Sequence, residues 1–185
     1  MKNPLSAAAL LLLTALFVVS GFAQKQLSKD ELLKQIATLS NSSNLEEKDK
    51  GYQLGKEFLS RFGTDKNDNV KKVRTFVESY RTSVFYSSVD RNKFADAFRL
   101  GKEIVADQPL NLEVLINLTY AGYNAMASGE KSYLNDTIAA AKKAEELLDG
   151  GTTANTYAPF KDKPEATAWI YYIDGTIVST TDKKA

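Results

Sequence analysis

Histidine and cysteine are both absent from the 185 residues, and that removes most familiar catalytic chemistry. Without them the chain cannot build a Ser/His/Asp triad, a thiolate nucleophile, a Cys/His zinc or iron–sulfur site, or a disulfide. Excess charge is missing too: 24 Lys and Arg face 23 Asp and Glu, so no net field draws the chain to nucleic acid or anionic lipid. Sustained polar/apolar alternation between turn dipeptides such as Asn-Gly is also lacking, so no sheet is expected. The chemistry left is that of carboxylates, Lys, Tyr or oxygen-ligated Ca²⁺ and Mg²⁺. No constellation of residues points to any of these, and no catalytic residue, cofactor or metal is expected.

What is present is ordinary globular composition, 43% hydrophobic and 25% charged, enough for one domain with a core. The first residues stand apart from it. Lys2 gives a short positive start, Leu5 to Val19 carries no charge, and Gly21-Phe22-Ala23 offers small residues where a signal peptidase reads. Fifteen residues rise only about 22 Å as a helix, short of the roughly 30 Å hydrocarbon core, so residues 1–23 read as a leader cleaved after Ala23 rather than as an anchor. No Cys follows for lipid attachment, and no stable membrane insertion is expected after cleavage. An exported chain without disulfides favours a bacterial envelope, periplasmic or secreted.

The chain repeats itself. Tyr52-Gln-Leu-Gly-Lys-Glu-Phe58-Leu returns 46 residues later as Phe98-Arg-Leu-Gly-Lys-Glu-Ile104-Val, and a fainter copy 40 residues on places Ile138, Ala141, Lys142 and Ala144 at the positions of Phe98, Gly101, Lys102 and Ile104. Self-similarity at such a period is the signature of stacked helical units. Gly inside a helix costs about 1 kcal/mol against Ala. Its recurrence at Gly55 and Gly101, with Ala141 in the third copy, predicts close helix contacts where a side chain larger than methyl would not fit.

Helical spacing runs through the chain. Ser28 and Glu31 form a capping box before Leu32, Leu33, Ile36 and Leu39, and the Ser/Asn stretch 40–44 ends that leader helix. A second helix spans Leu45 to Phe62 and stops at Gly63. A third carries Val70, Val73, Phe76, Val77, Tyr80, Val84 and Phe85. Asp90 opens a fourth, closed by Pro109. The fifth runs from Leu112 to about Ser128, the sixth from Tyr133 to Leu148 before Gly150-Gly151, and the last from Glu165 to about Val178, with Pro164 in its first turn.

This pattern resembles the tetratricopeptide repeat family, built of antiparallel helix pairs. Ala97 and Pro109 have the family's spacing between the first small residue of a second helix and the Pro past its end, and Thr137 and Ala144 fit its two small positions. The sequence departs from the family at Ile104, where the family has Ala, and in its period. The likeness covers roughly residues 45 to 178 at the level of helical hairpins, a pattern that other helical repeat families share. It implies an all-α fold of helix hairpins stacked as a short solenoid over 45–185, after a leader 1–23 and a helical segment 24–44. The last helix would be the first half of an incomplete unit. In that family the first helix of each pair lines a concave groove, a part that falls here to the helix from Leu112.

Other motifs dissolve on inspection. Asp65, Asn67 and Asn69 begin like a Ca²⁺ loop, but Val70 and Phe76 stand where Gly and Glu are required, leaving a polar turn. Gly51 to Glu57 lacks the spacing and the hydroxyl of a phosphate loop. Glu46-Glu47 and Glu145-Glu146 point about 100° apart on a helix and read as solvated face. Asn41, Asn117 and Asn135 open glycosylation sequons of a kind common by chance.

On the fifth helix Glu113, Asn117, Tyr120 and Asn124 form a stripe of their own. Their amide and phenol groups suit the backbone of an extended peptide, and an ordinary polar helix face is the alternative. The connection from Gly150 to Lys163, with Tyr157 and Phe160, is long enough for a second contact or for a mobile segment. Trp169 and Tyr171 are expected to pack. The expected function is therefore binding of a protein or peptide partner by an exported helical repeat, with no nucleic acid involved. The alternatives are a small-molecule or glycan-binding helical module and, more remotely, an enzyme using only carboxylates.

Overall fold

The computed structural model describes residues 26–182; the leader 1–23 and its cleavage site lie outside them. The described residues form seven α-helices and no strand: α1 Lys29–Ser40, α2 Leu45–Phe62, α3 Asp68–Asp90, α4 Phe94–Asp107, α5 Leu112–Ala127, α6 Leu134–Asp149 and α7 Lys163–Asp182. None is long and apolar enough to cross a membrane.

Local chemistry sets most of the helix starts. Ser28 and Glu31 close a reciprocal capping box on α1, and Asn44 accepts from the N–H groups of Glu46 and Glu47 to open α2. Asn67 caps α3 through the Val70 N–H at 3.0 Å, which accounts for the polar turn around it, and Asp65 pairs with Lys29. Asn111 accepts from Val114 N–H at 3.1 Å to open α5. Such caps satisfy N–H groups that have no partner within the helix.

The α3–α4 junction corrects the sequence reading. Asp90 does not open α4; it is the last residue of α3. The apolar register of α3 continues to Val89, which is buried, so the helix extends to keep it in the core. The turn follows at Arg91–Lys93, with Asn92 at φ 53°, a left-handed conformation that Asn tolerates better than most residues.

Successive helices pack in chain order, and further packings join α1 to α3, α3 to α5 and α5 to α7. The core between them is continuous from Leu32 and Ile36 through Tyr52, Phe58, Phe85, Leu100 and Ile116 to Ile170. The repeated glycines sit at close contacts between helices. A β-carbon at Gly55 would lie 2.6 Å from Val77 Cγ2, and one at Gly101 would lie 2.5 Å from Leu118 Cδ2 and 2.8 Å from Phe85 Cε2. The contacts are thus tighter than the sequence suggested, because even a methyl group meets an atom below van der Waals distance. Gly122, which no repeat marks, is tighter still, with 1.9 Å to Thr137 Oγ1 on α6.

The repeated lysines have a shared use. Lys56 on α2 donates to Glu103 on α4 at 3.3 Å, and Lys102, its counterpart in the next copy, donates to Asp136 on α6 at 3.0 Å. Each of these two lysines therefore reaches an acid on the second helix after its own. Glu103 also accepts from the buried Tyr52 hydroxyl at 2.6 Å. Burial would raise the Glu103 pKa, but the Tyr52 hydrogen bond and the neighbouring cations Lys56 and Arg99 hold it below its ordinary value. Arg81 occupies a buried place in the apolar row of α3. It donates to Glu103 O at 3.3 Å and Asp107 Oδ2 at 2.6 Å in the last turn of α4.

Candidate functional site

The stripe expected on α5 exists as a face, and most of it is already engaged. Asn111 starts the helix so that Glu113, Asn117, Tyr120 and Asn124 follow one another along the side turned toward α3 and the α6–α7 connection. Asn117 is buried. Its amide donates to Glu113 O and to Ala158 O, both at 2.9 Å, which uses both of its N–H groups. Asn124 reaches Asn92 Oδ1 in the α3–α4 turn at 3.4 Å.

Tyr120 belongs to an aromatic cluster. Its ring meets Phe160 edge-on at 6.2 Å between centroids and Trp169 at 5.6 Å. Trp169 also touches Tyr123 at 5.2 Å and Phe160 at 4.8 Å. Edge-on and tilted pairs at such separations are the favourable arrangements of aromatic rings. The cluster ties α5, the connection and α7 together, and Trp169 packs as expected. Tyr171, by contrast, is 43% exposed and donates its hydroxyl to Asp149 at 2.7 Å.

The connection after α6 is fastened rather than loose. The Ala154 N–H donates to the Tyr157 hydroxyl at 3.2 Å, Lys163 Nζ donates to Thr152 O at 3.0 Å, and Asp162 caps the start of α7 through Glu165 N–H at 3.0 Å. Tyr157 and Phe160 are both half-buried against the core. The structure thus brings Asn117, Tyr120 and Phe160 together, while Tyr157 closes its own loop.

A depression of about 290 Å³ remains open beside them, walled by Tyr86, Val89 and Asp90 of α3, by Glu113, Asn117 and Tyr120 of α5, and by Ala158 and Pro159. Burial, together with a hydrogen bond to Glu113, pushes the Tyr86 hydroxyl pKa up. Asp90 is exposed and makes no ion pair among the described residues. The open part of the surface is accordingly acidic. Tyr86 and Asp90 were not found from sequence, because Tyr86 sits one residue off the apolar row that ends at Phe85. Among the described residues, no group of three or more acidic side chains converges as a metal ion would need.

Comparison with protein-family models, curated proteins and solved structures returned no match.

Proposed function

We propose that this chain is an exported helical-repeat module that binds an extended segment of a protein or peptide partner in the bacterial cell envelope, with no catalysis of its own. In this reading α3–α4 and α5–α6 are stacked hairpins of the tetratricopeptide kind, α1, set apart by sequence in the segment 24–44, is taken in as the partner of α2, α7 begins a further unit, and the odd-numbered helices share the binding face. The packing of α1 on α3, α3 on α5 and α5 on α7 supports that arrangement, as do the lysines that link successive second helices.

The observation that carries the binding role is the contact between Asn117 and Ala158. A side-chain amide on α5 takes a backbone carbonyl of an irregular segment while Tyr120 packs on the aromatic ring two residues along. The same chemistry serves an extended partner. The open depression, with Asp90 and Glu113 at its edge, favours a segment that brings a Lys, an Arg or a terminal amine. Export rests on the leader, and amino-terminal sequencing of the mature protein is expected to begin at Gln24.

Panning a displayed peptide library against residues 24–185 tests the binding role. Enriched sequences should share a basic residue and lose affinity for Glu113→Ala and Asp90→Ala. Failure to enrich any sequence, or enriched sequences indifferent to both substitutions, counts against the reading.

A further inference from the structure

A groove of about 470 Å³ lies between α1 and the first half of α3. We propose that this groove and the acidic depression at the other end of α3 hold one extended segment of a partner. Its acidic residue and an apolar neighbour sit at Lys34, Lys72 and Phe76, and its basic residue, about eight positions along, sits at Asp90 and Glu113. The inference rests on the binding role given above and adds the charge order and the length of what is bound.

The groove is apolar at its base and basic at its rim. Leu33, Ile36 and Ala37 of α1 line it with Val73 and Phe76 of α3; Ile36 and Val73 are buried, while Leu33 and Phe76 are half-buried. Lys34 and Lys72 also line it, both exposed and without an ion pair among the described residues, and no acid lines it. Asp68, one turn before Lys72, already pairs with Lys71 at 3.5 Å. An apolar side chain seated here leaves water, and a carboxylate beside it meets two unopposed cations.

The far end of α3 has the opposite sign. Tyr86, Asp90 and Glu113 border the depression there, and Asp90 is exposed. A segment with one charge of each sign therefore has a fixed direction on this surface.

The register of α3 joins the two ends. Lys72 and Asp90 are eighteen residues apart, five turns of about 3.6 residues, so both stand on one line of the helix. Between them the same side carries Thr75, Ser79, Thr82 and Ser83, all exposed. The charged residues of that stretch, Arg74, Glu78 and Arg81, fall on other sides of the helix. Small hydroxylated side chains leave room for a backbone to lie along them. At 1.5 Å per residue the line is about 27 Å long, which an extended chain at roughly 3.3 Å per residue covers in about eight residues. A shorter segment reaches one end only.

The probe is a displayed library of random peptides about fifteen residues long, enough to span the line, selected on residues 24–185. Selected peptides are then synthesised and titrated against variants. They should pair a basic residue with an Asp or Glu about eight positions away, the acid standing beside an apolar residue. Lys34→Gln and Lys72→Gln should each weaken such peptides about fivefold, and neither should affect a peptide whose acid is replaced by its amide. Ser79→Trp, at an exposed position midway along the line, should weaken them about tenfold with the melting temperature unchanged. Peptides that depend on Asp90 and Glu113 but bind both lysine variants like wild type overturn the inference and leave the binding role standing. Dependence on both ends with none on Ser79→Trp overturns it as well, since the ends then serve separate ligands. A library that selects nothing overturns both readings.

Discussion

Leu118 on α5 presses so closely on Gly101 of α4 that a β-carbon added there would stand 2.5 Å from Leu118 Cδ2. Phe85 Cε2 closes the other side at 2.8 Å, and both side chains are buried. Neither can swing away cheaply, because a packed interior leaves little room for rotation. The position is one where the helix gives up propensity to gain proximity.

Gly101→Ala therefore sets two effects against each other. Ala gains about 1 kcal/mol in helix propensity, and overpacking costs about 1 to 3 kcal/mol. A net loss is expected. Gly175 on α7 has nothing within 4 Å of its added β-carbon, so Gly175→Ala should stabilise by up to about 1 kcal/mol. Urea titrations of the two variants should shift the midpoint in opposite directions. A stabilising Gly101→Ala would mean that the α4–α5 contact yields easily and does not require Gly.

Gly122 and Thr137 form the tighter pair. Thr137 is fully buried, and its hydroxyl donates to Tyr133 O at 2.7 Å, which fixes the side chain facing Gly122. Gly122→Ala is expected to cost about 2 to 3 kcal/mol, and combining it with Thr137→Ala should recover part of that loss through a coupling of about 1 kcal/mol or more. Strict additivity in the double-mutant cycle would show that the cost of Gly122→Ala arises elsewhere.

The glycine contacts show what the sequence could and could not reveal. Gly55 and Gly101 were legible because the repeat marks them twice, whereas Gly122 occurs once and its partner lies on another helix. Helix α2 was legible to the residue, since Asn44 caps its start and Gly63 ends it. The end of α3 was not, because Asp90 has the look of a cap while Val89 holds the helix in register. At the candidate surface the spacing of Glu113, Asn117, Tyr120 and Asn124 revealed a face. It could not reveal that Ala158, 41 residues from Asn117, lies over it, for such a contact leaves no local pattern.

Glu103 gives the fold a dependence on acid. Its folded pKa lies below the ordinary value of 4.5 because Tyr52, Lys56 and Arg99 favour the charged form against burial. The stability from this carboxylate is present above the unfolded pKa and is lost as pH falls through the folded one. Glu103→Gln should cost about 1 kcal/mol at neutral pH. The gap from wild type should close below about pH 4.5. Denaturation curves at a series of pH values test this, and a gap that is unchanged down to strong acid would assign the loss to packing alone.

Asn117, Tyr120 and Asn124 share a face, yet they should respond differently to truncation. Asn117→Ala leaves the Ala158 carbonyl without its donor and is expected to cost about 1 kcal/mol. Tyr120→Ala removes a ring from the cluster of Phe160 and Trp169 and should cost about 3 kcal/mol. Asn124 makes a single long hydrogen bond, so Asn124→Ala should stay within about 0.5 kcal/mol of wild type. Trp169 emission should shift to longer wavelength in Tyr120→Ala, as water reaches an indole that the ring had covered. If Tyr120→Ala instead unfolds at the wild-type midpoint with unchanged emission, the cluster contributes nothing to the fold and Tyr120 is free to serve a partner. The separation matters for any binding experiment. Lost binding in a destabilised Tyr120 variant says nothing about contact, whereas lost binding in Asn124→Ala or Glu113→Ala with wild-type stability places the partner on this face.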